Sequence, residues 1–321
     1  MFAMSLLTLN GVSIRTGGKW LLWDIGLSIE RGDLLALFGR CGAGKSTLAK
    51  VLAGYLKPTR GSIDWSLSEN SDIGRSSRLS QKQQRVGLGF QNPAFAPELT
   101  IYENLCFFAS LSGLRGHVQS KRVAYLLELV GLASRRNDKP LDLSAGELKR
   151  AEIARLFLSE SQVTIIDALL DSLERPVLEK VWEHILAQRR DVGRTFVVST
   201  ACSYVATLCP RIAVMHRGRI AFVGRPEDFR KLGGEDMLVL TELSSPDLRA
   251  RIAERLSVVI KEEEGFLSFR VANGEQAISS LLAEFGSEIG CVYLRRPTLD
   301  DALDVLERGP DNVVTHITEG I

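Results

Sequence analysis

The chain has 321 residues, a net charge of +1 and an ordinary apolar share of 45%, which suggests about two globular domains. No basic excess argues for a nucleic-acid partner, no polybasic block argues for direct membrane binding, and no apolar run approaches the roughly 20 residues of a membrane span. The cysteines (Cys41, Cys106, Cys202, Cys209, Cys291) are odd in number and none forms a C-x-x-C pair, as expected of reduced cytosolic thiols, and MFAMSLLTLNGV lacks the features of a signal peptide.

Residues 5–14, 21–29 and 33–38 read as three strands, with Arg31-Gly32 turning between the last two. The stretch Gly39 to Thr47 (GRCGAGKST) follows and fits the phosphate-loop pattern G-x-x-x-x-G-K-[ST]. Gly39, Gly42 and Gly44, with Ala43 between, let backbone N–H groups close around phosphate oxygens. The helix start adds its positive dipole end. Lys45 is expected to reach the β- and γ-phosphates and Ser46 to hold Mg²⁺, with Thr47 completing the loop. Leu48, Val51, Leu52 and Leu56 then recur at helical spacing, until Pro58 and Gly61 stop the helix.

Residues 61–84 are polar and read as exposed loops and short strands. An apolar run from Val86 ends in Gln91 and Pro93. Thr100 and Glu103 predict a capping box at the start of a helical stretch over 102–136, broken near Gly113 and Gly116. Leu143-Ser144-Ala145-Gly146-Glu147 precedes another helix, whose Leu148, Ala151, Ala154 and Leu158 share a face. Val163 to Asp167 is a β-branched run ending in an acid, read as a buried strand. Residues 195–199 and 211–215 read as two more strands.

The order of these motifs resembles the nucleotide-binding subunit of an ABC transporter over the first two-thirds of the chain. Gly39 to Thr47 matches Walker A, Gln91 the Q-loop and Leu143 to Glu147 (LSAGE) the LSGGQ signature. Val163 to Asp167 matches Walker B, and Leu173-Glu174 the end of the D-loop. The resemblance implies an α/β P-loop NTPase fold over residues 1–228, with a helical subdomain at about 95–158. It implies ATP and Mg²⁺ as ligands, with Ser46, Gln91 and Asp167 around the metal. Ser144, Ala145, Gly146 and Glu147 are offered to an ATP held by a second subunit.

Several positions depart from the family. Ala168 stands where a glutamate polarises the attacking water, and Ala201 where a switch histidine meets the γ-phosphate. Thr16 replaces the usual adenine-stacking aromatic, with Trp20 nearby as a candidate substitute. Glu174 replaces the D-loop aspartate. Phosphate and metal ligands remain while no catalytic group is intact, so nucleotide binding with impaired hydrolysis is expected.

After Pro226 the pattern changes. Strands at 238–240, 257–261, 266–271 and 289–294 alternate with helices near 246–256, 275–285 and 298–308. This order predicts a small ferredoxin-like α+β domain over 229–312, with a tail at 313–321. Arg296-Pro297-Thr298-Leu299-Asp300-Asp301 resembles the ending of ATP-binding subunits of bacterial multidrug and natural-product exporters. The competing reading is a plain helix start.

The resemblance therefore implies a subunit of a membrane exporter. It would sit peripherally at the cytoplasmic face through transmembrane permease subunits, beside a second, intact nucleotide-binding subunit as a heterodimer. Two alternatives stay open: an ATP-gated regulatory or scaffold protein, and a homodimer with two slow sites. The transported substrate is not encoded in this chain.

Overall fold

The structure, a computed structural model, describes residues 5–65, 86–91, 95–243, 247–263 and 266–308. It divides into a larger unit running to Gly224 and a smaller one beginning at Arg225.

The larger unit opens with β1 (Ser5–Thr16), β2 (Lys19–Glu30), β3 (Leu34–Phe38), α1 (Lys45–Leu52), β4 (Arg60–Trp65) and β5 (Val86–Gly89). Three helices follow, α2 (Ile101–Leu111), α3 (Gly116–Leu129) and α4 (Ala145–Leu156). It then runs through β6 (Val163–Asp167), α5 (Arg175–Val192), β7 (Thr195–Thr200), α6 (Ser203–Leu208), β8 (Arg211–His216) and β9 (Arg219–Gly224). One antiparallel sheet has the order β2-β1-β4; a six-stranded sheet has the order β5-β6-β7-β3-β8-β9, parallel except for β9. Every residue of β3, β6 and β7 is buried, as in central parallel strands covered on both faces. In β2, Ile25, Leu27 and Ile29 alternate inward. They share one core with Leu48, Val51 and Leu52 of α1 and with Leu35, Leu37, Ile165, Val197 and Met215 of the parallel sheet. The helix that carries the phosphate loop is thus fixed by apolar packing against both sheets.

Thr100 caps α2 through the expected box: its hydroxyl accepts from Glu103 N–H at 3.2 Å, and the Glu103 carboxylate accepts from Thr100 N–H at 2.8 Å. The helical run expected to reach 136 stops at Leu129, where Gly131 takes a φ of 68° and leaves only a 3-10 turn at Ala133–Arg135. Of the expected polar stretch 61–84, Gly61–Trp65 lies in β4 and the remainder lies outside the described residues, as does Pro93.

The smaller unit runs α7 (Pro226–Lys231), β10 (Asp236–Leu243), α8 (Leu248–Leu256), β11 (Lys261–Glu263), β12 (Phe266–Val271), α9 (Gly274–Phe285), β13 (Ile289–Arg295) and α10 (Leu299–Arg308). Its antiparallel sheet has the order β11-β12-β10-β13, the split β-α-β arrangement of ferredoxin-like domains. Leu238, Leu240, Leu248, Ile252, Leu267, Phe269, Leu281 and Phe285 form its core. The strand expected at 257–261 begins only at Lys261. Ser257 takes a left-handed φ of 54° that closes α8, and Val259 is 87% exposed. The compact unit also starts at Arg225 rather than 229, because α7 packs on α10. The tail from 313 lies outside the described residues. Among the described residues no helix is long and apolar enough to cross a membrane.

Candidate functional site

The phosphate loop joins the C-terminal end of β3 to α1, and its glycines have two separate reasons. Gly44 sits at the head of α1 with φ 104°, and a Cβ there would lie 2.9 Å from Leu22 Cδ2 and 3.2 Å from the Leu21 carbonyl. Gly39 has φ 152°, and its Cβ would run into the Met215 carbonyl. The loop is pressed against β2 and β8, so only glycine fits at these two positions.

Lys45 is buried, and its Nζ donates to the carbonyls of Gly39 at 2.7 Å and Arg40 at 2.9 Å. Burial holds the ammonium below the usual lysine pKa, against an upward pull from Cys41, Asp171 and Asp167. Ser46 Oγ donates to Asp167 Oδ1 at 3.0 Å and accepts from Gln91 Nε2 at 3.4 Å. Three residues from α1, β6 and the end of β5 therefore converge on one point. They bring together a hydroxyl, a carboxylate and the Gln91 amide, whose Nε2 faces Ser46 here; the hydroxyl and carboxylate are hard oxygen donors that suit Mg²⁺, and the amide would turn its oxygen inward to join them.

Ala168 follows Asp167 with a φ of 53°, and its N–H donates to Ser199 O at 2.9 Å. Ala201 is exposed, and its N–H donates to Asp171 Oδ2 at 2.9 Å. Both side chains are methyl groups, which neither accept a proton nor orient a water. The Thr200 hydroxyl donates to Asp171 Oδ1, so the segment after β6 is tied to the loop after β7. Trp20, the nearby aromatic, has the guanidiniums of Arg15 and Arg60 at 5.5 and 5.3 Å from its ring centre and Trp23 edge-on at 4.5 Å.

The signature residues stand at the head of α4. Ser144 is its N-cap: the hydroxyl accepts from Glu147 N–H at 3.3 Å, and the Glu147 carboxylate takes Ser144 N–H and Oγ at 2.8 Å each. Those bonds, then Arg135 and Arg150, hold the Glu147 carboxyl below the usual range. Ala145 is exposed, and a Cβ on Gly146 would meet nothing within 4 Å. This glycine answers no packing need of its own chain. Ser144, Gly146 and Glu147 line a recess of about 90 Å³ with Ser172 and Glu174.

Sequence reasoning missed one pair. Glu152 is fully buried on α4 and accepts from Phe90 N–H at 2.9 Å. Arg155 bonds that carboxylate at 2.6 Å and the Leu88 carbonyl at 3.0 Å. Together they fasten the signature helix to the strand that ends beside Gln91. The available signal was an acid and an arginine three apart on a helix whose flanking residues are apolar.

A family model described as ABC transporter matches residues 22–169. The methionine import ATP-binding protein MetN of Ralstonia nicotianae is 30% identical over 254 residues, which cover 76% of this chain and 71% of that protein. Methionine import ATP-binding protein MetN 2 of Listeria innocua is 33% identical over 201 residues, 62% of this chain; the chain spans 59% of that relative's length. Among solved structures, a dimeric bacterial ABC transporter cassette is 25% identical with a TM-score of 0.60, over 68% of this chain and 98% of that one.

Proposed function

The chain belongs to the ABC transporter family as an ATP-binding subunit, and from that premise we propose that it binds Mg-ATP, hydrolyses it poorly, and lends its signature to an intact partner subunit. One observation carries the reading. Ser46, Gln91 and Asp167 form a hydrogen-bonded cluster beside a complete phosphate loop, while positions 168 and 201 hold only methyl groups. The loop N–H groups and Lys45 bind the phosphates, and Ser46, Gln91 and Asp167 hold the metal. When bound, Mg²⁺ neutralises phosphate charge and orients the terminal group. General-base assistance is worth about 10²–10⁴-fold, and no side chain at 168 supplies it.

The partner would be a second nucleotide-binding subunit with an intact acid and histidine, the pair seated on transmembrane permease subunits at the cytoplasmic face. Its ATP would meet Ser144 and the open backbone at Gly146. We read the transporter as an exporter on the strength of Arg296 to Asp301. Thr298 and Asp301 also serve as the cap of α10, with N–H and hydroxyl bonds of 2.8 Å each. A second reading, import, is favoured by the names of the relatives. ATP-driven accumulation inside inverted membrane vesicles would support export, and release from them would support import.

The binding test uses a fluorescent ATP analogue on the purified chain. Saturable binding is expected, lost in Lys45→Ala; unchanged binding in that variant would move the site elsewhere.

A further inference from the structure

At the end of the parallel sheet away from the phosphate loop, the larger unit has a cavity of about 510 Å³. It lies where β6 and β7 begin, beside Gln162 and Thr195, whereas Asp167 and the loop after β3 stand at the far ends of their strands. From Val163 to Asp167 the distance is about 13 Å at the rise of a parallel strand. The cavity walls are of two kinds. Leu6, Leu114 and Leu158 are aliphatic, and Val118 and Val192 add two solvent-exposed valines. Arg31, Arg122 and Arg194 bring three guanidiniums, against the single carboxylate of Glu160.

Arg194 is the anomaly. It is only 6% exposed, and its Nη1 is buried without a hydrogen-bond partner among the described residues. Burial, then the charge of Arg122, holds its pKa below the ordinary arginine value, while Glu160 pulls the other way. Arg122 is engaged elsewhere, its Nη2 donating to the Phe157 carbonyl at 3.0 Å. A buried cation with an unsatisfied donor is strongly destabilising unless an anion meets it.

We infer that this cavity binds a small organic anion, an aliphatic body carrying a carboxylate or phosphate head, with the head at Arg194 and Arg31 and the body along the leucines. A guanidinium matches either head through paired donors. The volume is that of ordinary small-molecule sites, which are mostly apolar with a few placed polar groups. Glu160 is the competing partner of Arg194, but it is exposed and shared with water.

The test is calorimetric titration of the full chain with octyl phosphate below its micelle concentration. One site is expected, about tenfold or more tighter than for octanol or inorganic phosphate, the scale of a charge-assisted hydrogen bond. Arg194→Met keeps the length without the charge and should weaken octyl phosphate by about tenfold or more. Arg31→Glu, made on an exposed side chain, should do the same and serves if the buried change unfolds the chain. Glu160→Gln should tighten binding about threefold, and Arg190→Glu, at an exposed arginine outside the cavity, should leave it unchanged. Saturating Mg-ATP should also leave it unchanged, because the phosphate loop stands at the opposite strand ends. Pelleting with vesicles of phosphatidate in phosphatidylcholine separates the sources. Arg194-dependent pelleting assigns the head to a membrane lipid, and octyl phosphate binding without pelleting assigns it to a soluble amphiphile. The inference is overturned if neither octyl phosphate nor the vesicles bind, or if Mg-ATP competes. Full binding by a folded Arg194→Met, or equal weakening by Arg31→Glu and Arg190→Glu, overturns it as well.

Discussion

Ala168 carries two burdens at one position. Its φ of 53° is left-handed, a conformation that costs an alanine about 1–2 kcal/mol. Ala168→Gly should therefore raise stability by up to about 1 kcal/mol, seen as a higher denaturation midpoint at unchanged slope. Ala168→Glu restores an acid but leaves a methyl at 201 and the Asp171 bond to its N–H. Phosphate release by that variant alone should stay near the wild-type background, and brisk turnover would mean that the acid alone had been missing. Position by position, the phosphate loop was legible because its glycine spacing is the chemistry. The bond from Thr200 to Asp171 was not, since it joins residues 29 apart through the sheet.

Elements were legible where a local signal sets them. Thr100 and Glu103 announce the start of α2, and β-branched runs announce the buried strands. The start of β11 was misplaced, because Ser257 ends α8 in a backbone state that a serine does not advertise. Packing between elements escaped more often. His184 of α5 is buried against Phe157 and Tyr125, its Nδ1 3.1 Å from the Tyr125 hydroxyl and its Nε2 without a hydrogen-bond partner among the described residues. Burial, then the charges of Arg122 and Arg194, push its pKa down to about 4. The unfolded chain takes up that proton near the ordinary value of about 6.5. Between these values the unfolded state binds more protons, so stability falls as pH drops from about 6.5 towards 4, by at most about 3 kcal/mol. His184→Phe should remove this part of the pH dependence while other acid-sensitive groups keep theirs. Denaturant titrations at pH 7 and pH 5 make the comparison, and an unchanged difference would acquit the histidine.

For the molecule as a whole, the sequence announced a change of architecture after Pro226 but not the position of the break. Pro226 belongs to the first helix of the smaller unit, so the compact division falls at Gly224. Ending the chain there should leave nucleotide binding intact, since the phosphate loop, Gln91 and Asp167 all lie before it; loss of binding in a folded fragment would tie the smaller unit to the site. Within an assembled transporter, Gly146→Asp should cut ATPase turnover by orders of magnitude, by placing bulk and negative charge against a partner's γ-phosphate. Lys45→Ala should cut it less. The reverse order in steady-state assays would dismiss the unequal-site reading.

Glu152 and Arg155 give this arrangement its mechanical sense. They pin α4 to the main chain at Leu88 and Phe90, one residue short of Gln91. Under the proposed function, a shift at the end of β5 would reach the cap at Ser144 along α4 itself rather than through a loop. On that reading, a nucleotide that is seldom cleaved would still influence the surface offered to the neighbour. The site would then act as a brace felt next door, and cutting its pins, as in Glu152→Gln with Arg155→Met, would leave both ends in place but strangers to each other.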